Sequence, residues 1–391
     1  MLKLTNKQAR HLWLHSLGLS ATPTGPLDLP AMIHDLGFVQ IDTIRNVTRA
    51  HHHILWTRNQ NYREKQLWPM LKDDRKLFEH FTHDASLIPM EFYPYWQRQY
   101  RRLGDKVARH DWYQSGLARD AIRDIHDRIR AEGPLSTHAF DSKIEGPREM
   151  WARPPHKKAL DQLWYGGTLT TSHRENFTKF YDLSERVIPE AYRQADISDQ
   201  DQINWLCDSA LDRLTLASPG EVQRFWAATD APEVKAWRAR RPDLVPVDYV
   251  AADKSIHTAL APPDIETHLA NLPPPSSRLR LLNPFDPAIR DRIRLARLFG
   301  FDYRNEMFVP KDQRKWGYYV YPLLESDRFV GRIEAKGDRP SLTLTVTGFW
   351  PEPGVDWPAS RGRKLAAELG RFGRLAGLTK ITWACAAPKG A

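Results

Sequence analysis

Apolar positions recur at helical spacing from the start of the chain. Ala9, Leu12, Trp13 and Leu17 share one side of a helix predicted over 5–19. Asp28 is placed to cap a second helix, which runs through Leu36 and stops at Gly37. The run Phe38-Val39-Gln40-Ile41-Asp42-Thr43-Ile44 then alternates with period two, as a strand does. A helix over 62–71 and extended chain over 76–87 complete this first segment.

The second segment opens near Leu117. Ile122, Ile125 and Ile129 repeat at helical spacing, Gly133-Pro134-Leu135-Ser136 introduces a short helix, and 157–165 is a third, halted by Gly166-Gly167. Extended runs over 168–172 and 177–183 flank the polar turn His173-Arg174-Glu175-Asn176. Three helices followed by a two-stranded ribbon is the order of a winged helix. The plan returns more faintly in helices over 202–214, 219–227 and 232–240 and strands over 244–250 and 255–260. Pro262-Pro263 and Pro273-Pro274-Pro275-Ser276-Ser277 then mark a linker. Beyond it come a helix over 288–299, strand-like runs over 307–309, 318–323, 329–335 and 342–349, and a closing helix over 361–376. The expected fold class is α+β: three tandem winged-helix domains (1–115, 116–195, and 196–276 with the linker) and a small C-terminal antiparallel β-barrel (277–391).

Composition narrows the function. Of 391 residues, 41% are hydrophobic, enough for ordinary cores. No apolar run is long enough to cross a bilayer, and residues 1–7 lack a signal peptide's apolar stretch, so a soluble cytoplasmic protein is expected. Two cysteines, Cys207 and Cys385, cannot make a four-thiolate metal site, and Cys207 lies in an apolar helical stripe. Lys and Arg exceed Asp and Glu by 57 to 48, a balance that suits a polyanionic partner.

The candidate chemistry starts at Gln40 and Asp42. On a strand, residues two apart share a face, so an amide and a carboxylate can hold one water between them. The carboxylate can take the water's proton and stabilise a cationic sugar, which cleavage of an N-glycosidic bond requires. By itself Gln-x-Asp is common, and an exposed polar strand face or a helix-flanking Asp accounts for it far more readily than catalysis does. Trp56 reads as core, and Glu79 as a carboxylate on a solvated face or paired with an arginine. The clustered His51, His52 and His53, with His80 and His83 nearby, either pack beneath the site or, for His53, meet substrate; no metal or other cofactor is expected.

The run from Asp42 through Arg58 and the later run Leu77-Phe78-Glu79-His80-Phe81-Thr82-His83-Asp84-Ala85-Ser86-Leu87-Ile88-Pro89 change the odds. So do Leu282-Asn283-Pro284-Phe285-Asp286, Arg297-Leu298-Phe299-Gly300-Phe301-Asp302-Tyr303, Gly317-Tyr318-Tyr319-Val320 and Val330-Gly331-Arg332-Ile333-Glu334-Ala335-Lys336-Gly337-Asp338-Arg339. Over nearly its whole length the chain resembles the YcaQ-like winged-helix DNA glycosylases. The resemblance implies a concave DNA-binding surface, excision of N7-alkylated purines and unhooking of interstrand crosslinks. It places the family's Gln-hydrophobic-Asp motif on Gln40 and Asp42.

Arg45, Arg49, His51 and His53 become candidates for substrate contact. Basic surfaces suited to phosphate lie at Lys311, Arg314, Lys315 and Trp316, read as a hairpin loop with an aromatic wedge. Others lie at Arg363, Lys364, Arg371 and Arg374 on the closing helix, and at the stripe Arg290, Arg294 and Arg297 beside apolar Ile289, Ile293 and Ala296. Trp237-Arg238-Ala239-Arg240-Arg241 is a further one, and Lys157 and Lys158 are weaker. The expected partner is duplex DNA with alkylated or crosslinked purines, met by a monomer at the nucleoid. The alternative is a non-catalytic winged-helix regulator or architectural protein. A nuclease ranks below both, because the sequence shows no carboxylate cluster for divalent metal.

Overall fold

The computed structural model describes residues 1–117, 119–140 and 153–391. The chain divides into two compact units, one of Met1–Glu64, Asp208–Phe225 and Val234–Ala391, the other of Lys65–Cys207 and Trp226–Glu233.

The second unit holds the hairpin Leu77–Phe81/Ala85–Pro89 and the helices Gln97–Arg109, Arg119–Glu132 and Pro155–Tyr165. Strands Leu169–Glu175 and Thr178–Leu183 form the expected ribbon, with Leu135–Ser136 added as a third strand. Leu135 and Ser136 are extended, and the short helix they introduce is the 3-10 turn Thr137–Ala139, capped by Ser136; 141–152 lie outside the described residues. Ile125 and Ile129 of one helix and Trp164 of another close over Tyr181 in the core. Glu79 is fully buried, gripped by the Arg174 fork (2.7 Å at each nitrogen) and by Lys179 at 2.9 Å. Burial alone would raise its carboxyl, but the two cations outweigh it and hold Glu79 down to about 2. Lys157 is likewise engaged, with Asp161 and with the Tyr181 hydroxyl at 2.8 Å.

In the first unit, Leu2–Leu4 pairs in parallel with Val245–Val250, which pairs with Ile256–Ala261. A five-stranded sheet runs in the order Leu279–Leu281, Val320–Glu325, Arg328–Asp338, Thr343–Pro351, Lys380–Trp383. Its first three pairings are antiparallel and its last is parallel, reached through the helix Ala359–Leu375, which buries Leu365, Leu369 and Phe372. Among the described residues the two outer strands each have one neighbour, so the sheet is open and mixed. The expected closed antiparallel barrel is not formed. Residues 307–309 are a turn rather than a strand, and the expected hairpin loop is instead the 3-10 turn Lys311–Gln313 followed by irregular chain. Glu306 organises that loop by accepting the amide hydrogens of Lys315, Trp316 and Gly317 at 3.0, 2.8 and 3.2 Å.

The helix expected over 288–299 breaks at Asp291, which caps the second piece, Arg292–Phe299. Its faces are the reverse of the expectation. Ile293 is 56% exposed, while Arg294 is buried, donating to the carbonyls of Leu214 and Leu216 and pairing with Glu221 at 3.3 Å. Arg290 stacks over Phe38, its ring centroid 4.6 Å away, and burial lowers its guanidinium to about 10. Arg290 and Arg294 of the expected stripe are thus packed inward, whereas Arg297 is half-buried, 3.9 Å from Glu221. Trp237 is also buried, donating to Asp208 at 2.8 Å, and Arg241 pairs with Asp208 and Asp243.

At the centre of this unit lies the helix Ala50–Arg58, every residue of which is buried. Arg58 donates through both terminal nitrogens to the Asp286 carboxylate, with Nη2 to Oδ1 at 2.9 Å, and through Nε to the Leu17 carbonyl at 3.0 Å. Arg280, 2% exposed, donates to the Thr57 carbonyl at 2.7 Å. Arg58→Ala or Asp286→Ala leaves an unpaired buried charge, and urea unfolding is expected to show a loss of about 3–5 kcal/mol for either. Arg58→Met combined with Asp286→Leu should recover much of that loss. Single variants within about 1 kcal/mol of wild type would show that the pair is not what holds these segments.

Candidate active site

Asp28 caps the helix Leu29–Leu36, accepting from the Ala31 amide at 3.0 Å, and Gly37 ends it at φ +83°. The chain emerges as the two-residue strand Val39–Gln40. Val39 and Ile41 are buried, as the alternation requires, but so is Phe38 on the other face, and Gln40 is only 7% exposed. Asp42 lies past the strand's end. Its carboxylate accepts the Ile44 amide hydrogen at 2.6 Å, a turn in which the side chain folds back on its own backbone. Asp42 is half-buried, so a fixed carboxylate meets solvent at a chain reversal.

The loop that follows is fastened to strand Arg328–Asp338 and the residue beyond it. Asn46 donates to the Ala335 carbonyl at 2.6 Å, the Gly337 amide to the Asn46 carbonyl at 2.9 Å, and Arg339 to the Val47 carbonyl at 2.7 Å. The approach is close: a Cβ on Gly337 would stand 2.8 Å from the movable Leu378 Cδ1 and 3.4 Å from Val47 Cα. On its other side the loop is gathered by Glu64, which accepts from Thr48 Oγ1 at 2.5 Å and lies 3.9 Å from Arg45 and 3.8 Å from His52.

Beneath the loop the three histidines are buried. His52 Nδ1 is 2.7 Å from the Tyr62 hydroxyl. His53 stacks on Phe372, centroids 4.3 Å apart, with Nδ1 3.4 Å from the Asn283 amide nitrogen. That nitrogen also donates to the Tyr319 hydroxyl at 3.2 Å. Burial pushes His52 down to about 4 and His53 to about 3, outweighing the opposing charges of Glu64 and Asp286 respectively, so both rings are neutral at pH 7. Burial raises Tyr319 well above the usual tyrosine range, and the charge of Asp42 adds to that rise. His52 and His53 thus lie beneath the loop as neutral rings. Neither His51 nor His53 presents surface to a ligand, each being 0% exposed. Among the described residues no His, Cys, Asp or Glu trio is gathered as for a metal ion.

The remaining candidates are scattered. Arg45 and Arg49 stand on the Asp42 loop. Arg314 donates to the Val309 carbonyl at 2.8 Å, and Trp316 packs against Trp350 with Arg332 over its face. On the closing helix, Arg363 and Arg374 are exposed, whereas Lys364 is paired with Glu325 and Arg371 with Glu368. Trp56 and Cys207 are core residues. Sequence reasoning gave no role to Glu64, Asn46, Asn283, Tyr319 or Arg339, although the last four lie in stretches quoted for the family resemblance.

The family model described as "DNA glycosylase AlkZ-like" matches residues 33–375, a span that includes the Asp42 loop, the Asn283 segment and most of the closing helix. The chain belongs to the AlkZ-like DNA glycosylase family. Its fold is similar to that of the Streptomyces sahachiroi DNA glycosylase AlkZ, with a TM-score of 0.66 and 16% identity over 98% of this chain and 99% of that one. At that identity the likeness speaks for the fold, while the family match makes the protein a DNA-binding repair enzyme. No helix among the described residues is long and apolar enough to cross a membrane.

The neutral floor predicts acid sensitivity. An unfolded histidine binds its proton near pH 6.5, whereas His52 and His53 do so in the fold only near 4 and 3. Between these values the unfolded state binds more protons, so stability is complete above about pH 6.5 and falls on acidification, by up to about 1.4 kcal/mol per pH unit for each ring. His53→Gln should flatten the pH dependence of urea unfolding between about pH 5 and pH 7 by close to one proton. Equal slopes for variant and wild type would contradict the assignment.

Proposed function

We propose that this glycosylase hydrolyses the N-glycosidic bond of N7-alkylated purines, including those whose release unhooks an interstrand crosslink. Asp42 acts as base and cation stabiliser, and Gln40 positions the water. The observation that carries the reading is the Asp42 carboxylate itself, oriented by the Ile44 amide on a loop secured from both sides and partly open to solvent. A carboxylate so placed can accept a proton from water and face the positive charge that develops on the sugar. An N7-alkylated purine is already cationic and leaves without a strong general acid, so one carboxylate suffices. The half-exposed setting of Asp42 suits a lesion that cannot be turned fully out of a tethered duplex.

The exposed Arg363 and Arg374, with Lys311 and Lys315, are the proposed backbone contacts on the C-terminal sheet and its helix. The helices and ribbons over 119–183 and 199–261 support the reading of a second and third winged helix. Action as a monomer at the nucleoid goes with this substrate.

The test is release of free base and formation of abasic sites from duplexes carrying N7-methylguanine or a nitrogen-mustard crosslink, in EDTA. Wild type should release base, and Asp42→Asn should lose about 10²–10⁴-fold in single-turnover rate with DNA binding retained. No release from either lesion at stoichiometric enzyme would overturn the substrate reading. Undiminished Asp42→Asn activity would remove the carboxylate from the chemistry.

A further inference from the structure

Phe308 is 74% exposed, and among the described residues no other Phe, Tyr or Trp lies so open to solvent. A lone apolar side chain on a loose surface loop needs no explanation. This loop is held at both flanks of the ring. Met307 before it is buried, and its amide donates to Asn305 Oδ1 at 3.2 Å. Val309 after it donates its amide hydrogen to the Glu306 carbonyl at 2.9 Å and accepts from Arg314 Nε at 2.8 Å. The Gln313 amide returns to the Pro310 carbonyl at 3.0 Å, and the Glu306 carboxylate takes the amides of Lys315, Trp316 and Gly317. Other rings of the segment are packed, Phe301 on Tyr303 and Trp316 on Trp350.

The stem of the loop reaches the candidate active site. Glu334 accepts the amide hydrogens of Tyr318 and Tyr319 at 2.8 and 3.3 Å, and a Cβ on Gly317 would meet that carboxylate at 2.8 Å. Tyr319 then meets Asn283 through its hydroxyl, and the charge of Asp42 acts on it. Phe308 thus projects from a braced turn whose stem runs in beneath the site. Charge does not single this segment out, since residues 302–316 hold four bases and three acids. Its distinction is a ring kept out of the core, with exposed Lys311 and Lys315 following on the same loop. A partner protein would need a contiguous apolar patch, which one ring does not supply. A duplex needs only a gap between two bases, into which apolar side chains wedge.

We propose that Phe308 is a wedge that enters the base stack beside the lesion, parting one base step while Lys311 and Lys315 hold the backbone. The ring takes the stacking place of the base it displaces, so the opened step is filled. The lesion nucleotide is then freed from one neighbour and can approach Asp42 without leaving a tethered duplex. Phe308 is a binding residue and takes no part in bond cleavage. This assignment rests on the glycosylase reading for the lesion and for the backbone contacts.

The test uses the full-length protein and duplexes with 2-aminopurine, whose fluorescence rises when it unstacks, moved stepwise past N7-methylguanine. The lesion is carried on a 2′-fluoro sugar, whose fluorine disfavours the oxocarbenium state and delays release. Wild type should give a rise at one step next to the lesion. Phe308→Ala should lose that rise and bind about tenfold more weakly, the size of one lost base–aromatic stack, with an unchanged log–log salt slope. Phe308→Trp keeps a stacking ring and should keep both the rise and the affinity, which guards against a loop merely disturbed by the first variant. Equal rises for wild type and Phe308→Ala would overturn the proposal. So would a lowered salt slope in Phe308→Ala, or a Trp variant as weak as the Ala one. A Phe308-dependent rise spread evenly along the duplex, with no release of N7-methylguanine from an ordinary deoxyribose, would sustain the wedge and sink the substrate reading. Release without a Phe308-dependent rise would do the reverse.

Discussion

A guanidinium and a carboxylate buried beside each other hold the first unit together around its active loop. Arg58 and Asp286 are 228 positions apart in sequence, and both are shut away from water. Neither charge is tolerable there alone; together, with the Leu17 and Ile54 carbonyls on the remaining Arg58 donors and the Ala288 amide on Asp286, their polar demands are met. The pair fixes the C-terminal end of helix Ala50–Arg58 against the segment that begins at Asn283. Everything at the site is referenced to that helix: His53 leaves it to meet Asn283, His52 to meet Tyr62, and the Asp42 loop runs directly into its first turn.

From this anchoring follows a division of labour by depth. Below the loop lie rings kept neutral by burial, with Asn283 joining His53 to Tyr319. Above it lie charges: Asp42, Glu64 and the arginines. A neutral floor does not compensate the Asp42 carboxylate, and an aromatic floor cannot absorb a displaced loop without opening a void. The position of Asp42 is thus set by the Ile44 amide and by hydrogen bonds at the loop's two flanks.

Periodicity made much of the fold legible before any coordinates. The ribbon over 169–183, the closing helix and the third set of helices followed from helical or alternating spacing and glycine stops. The cap at Asp28 was readable because capping is local. What failed to read were interactions whose partners are remote. Arg294 was assigned to the surface because arginine usually belongs there; its burial depends on Glu221 and two carbonyl groups some 80 positions earlier, which no helical wheel contains. The parallel strand Lys380–Trp383 opens the sheet rather than closing it, and a four-residue strand after a helix has no alternation long enough to notice. Helix Ala50–Arg58 carried no amphipathic signal because it is buried on every side.

The proposed catalytic motif shows the same limit at smaller scale. Reading Gln40 and Asp42 as neighbours on one strand face assumed that the strand continues, yet it ends at Gln40. The two residues are therefore held by different means: Gln40 by strand packing that leaves it nearly buried, Asp42 by a turn that its own side chain closes. Their mutual position depends on where the loop is fastened, at Gly337 and Arg339, each almost 300 positions away in sequence. A Gln-hydrophobic-Asp tripeptide lifted from this chain would keep its spacing and lose its geometry. The family resemblance reached the family where the tripeptide could not, because it sampled both sides of that attachment.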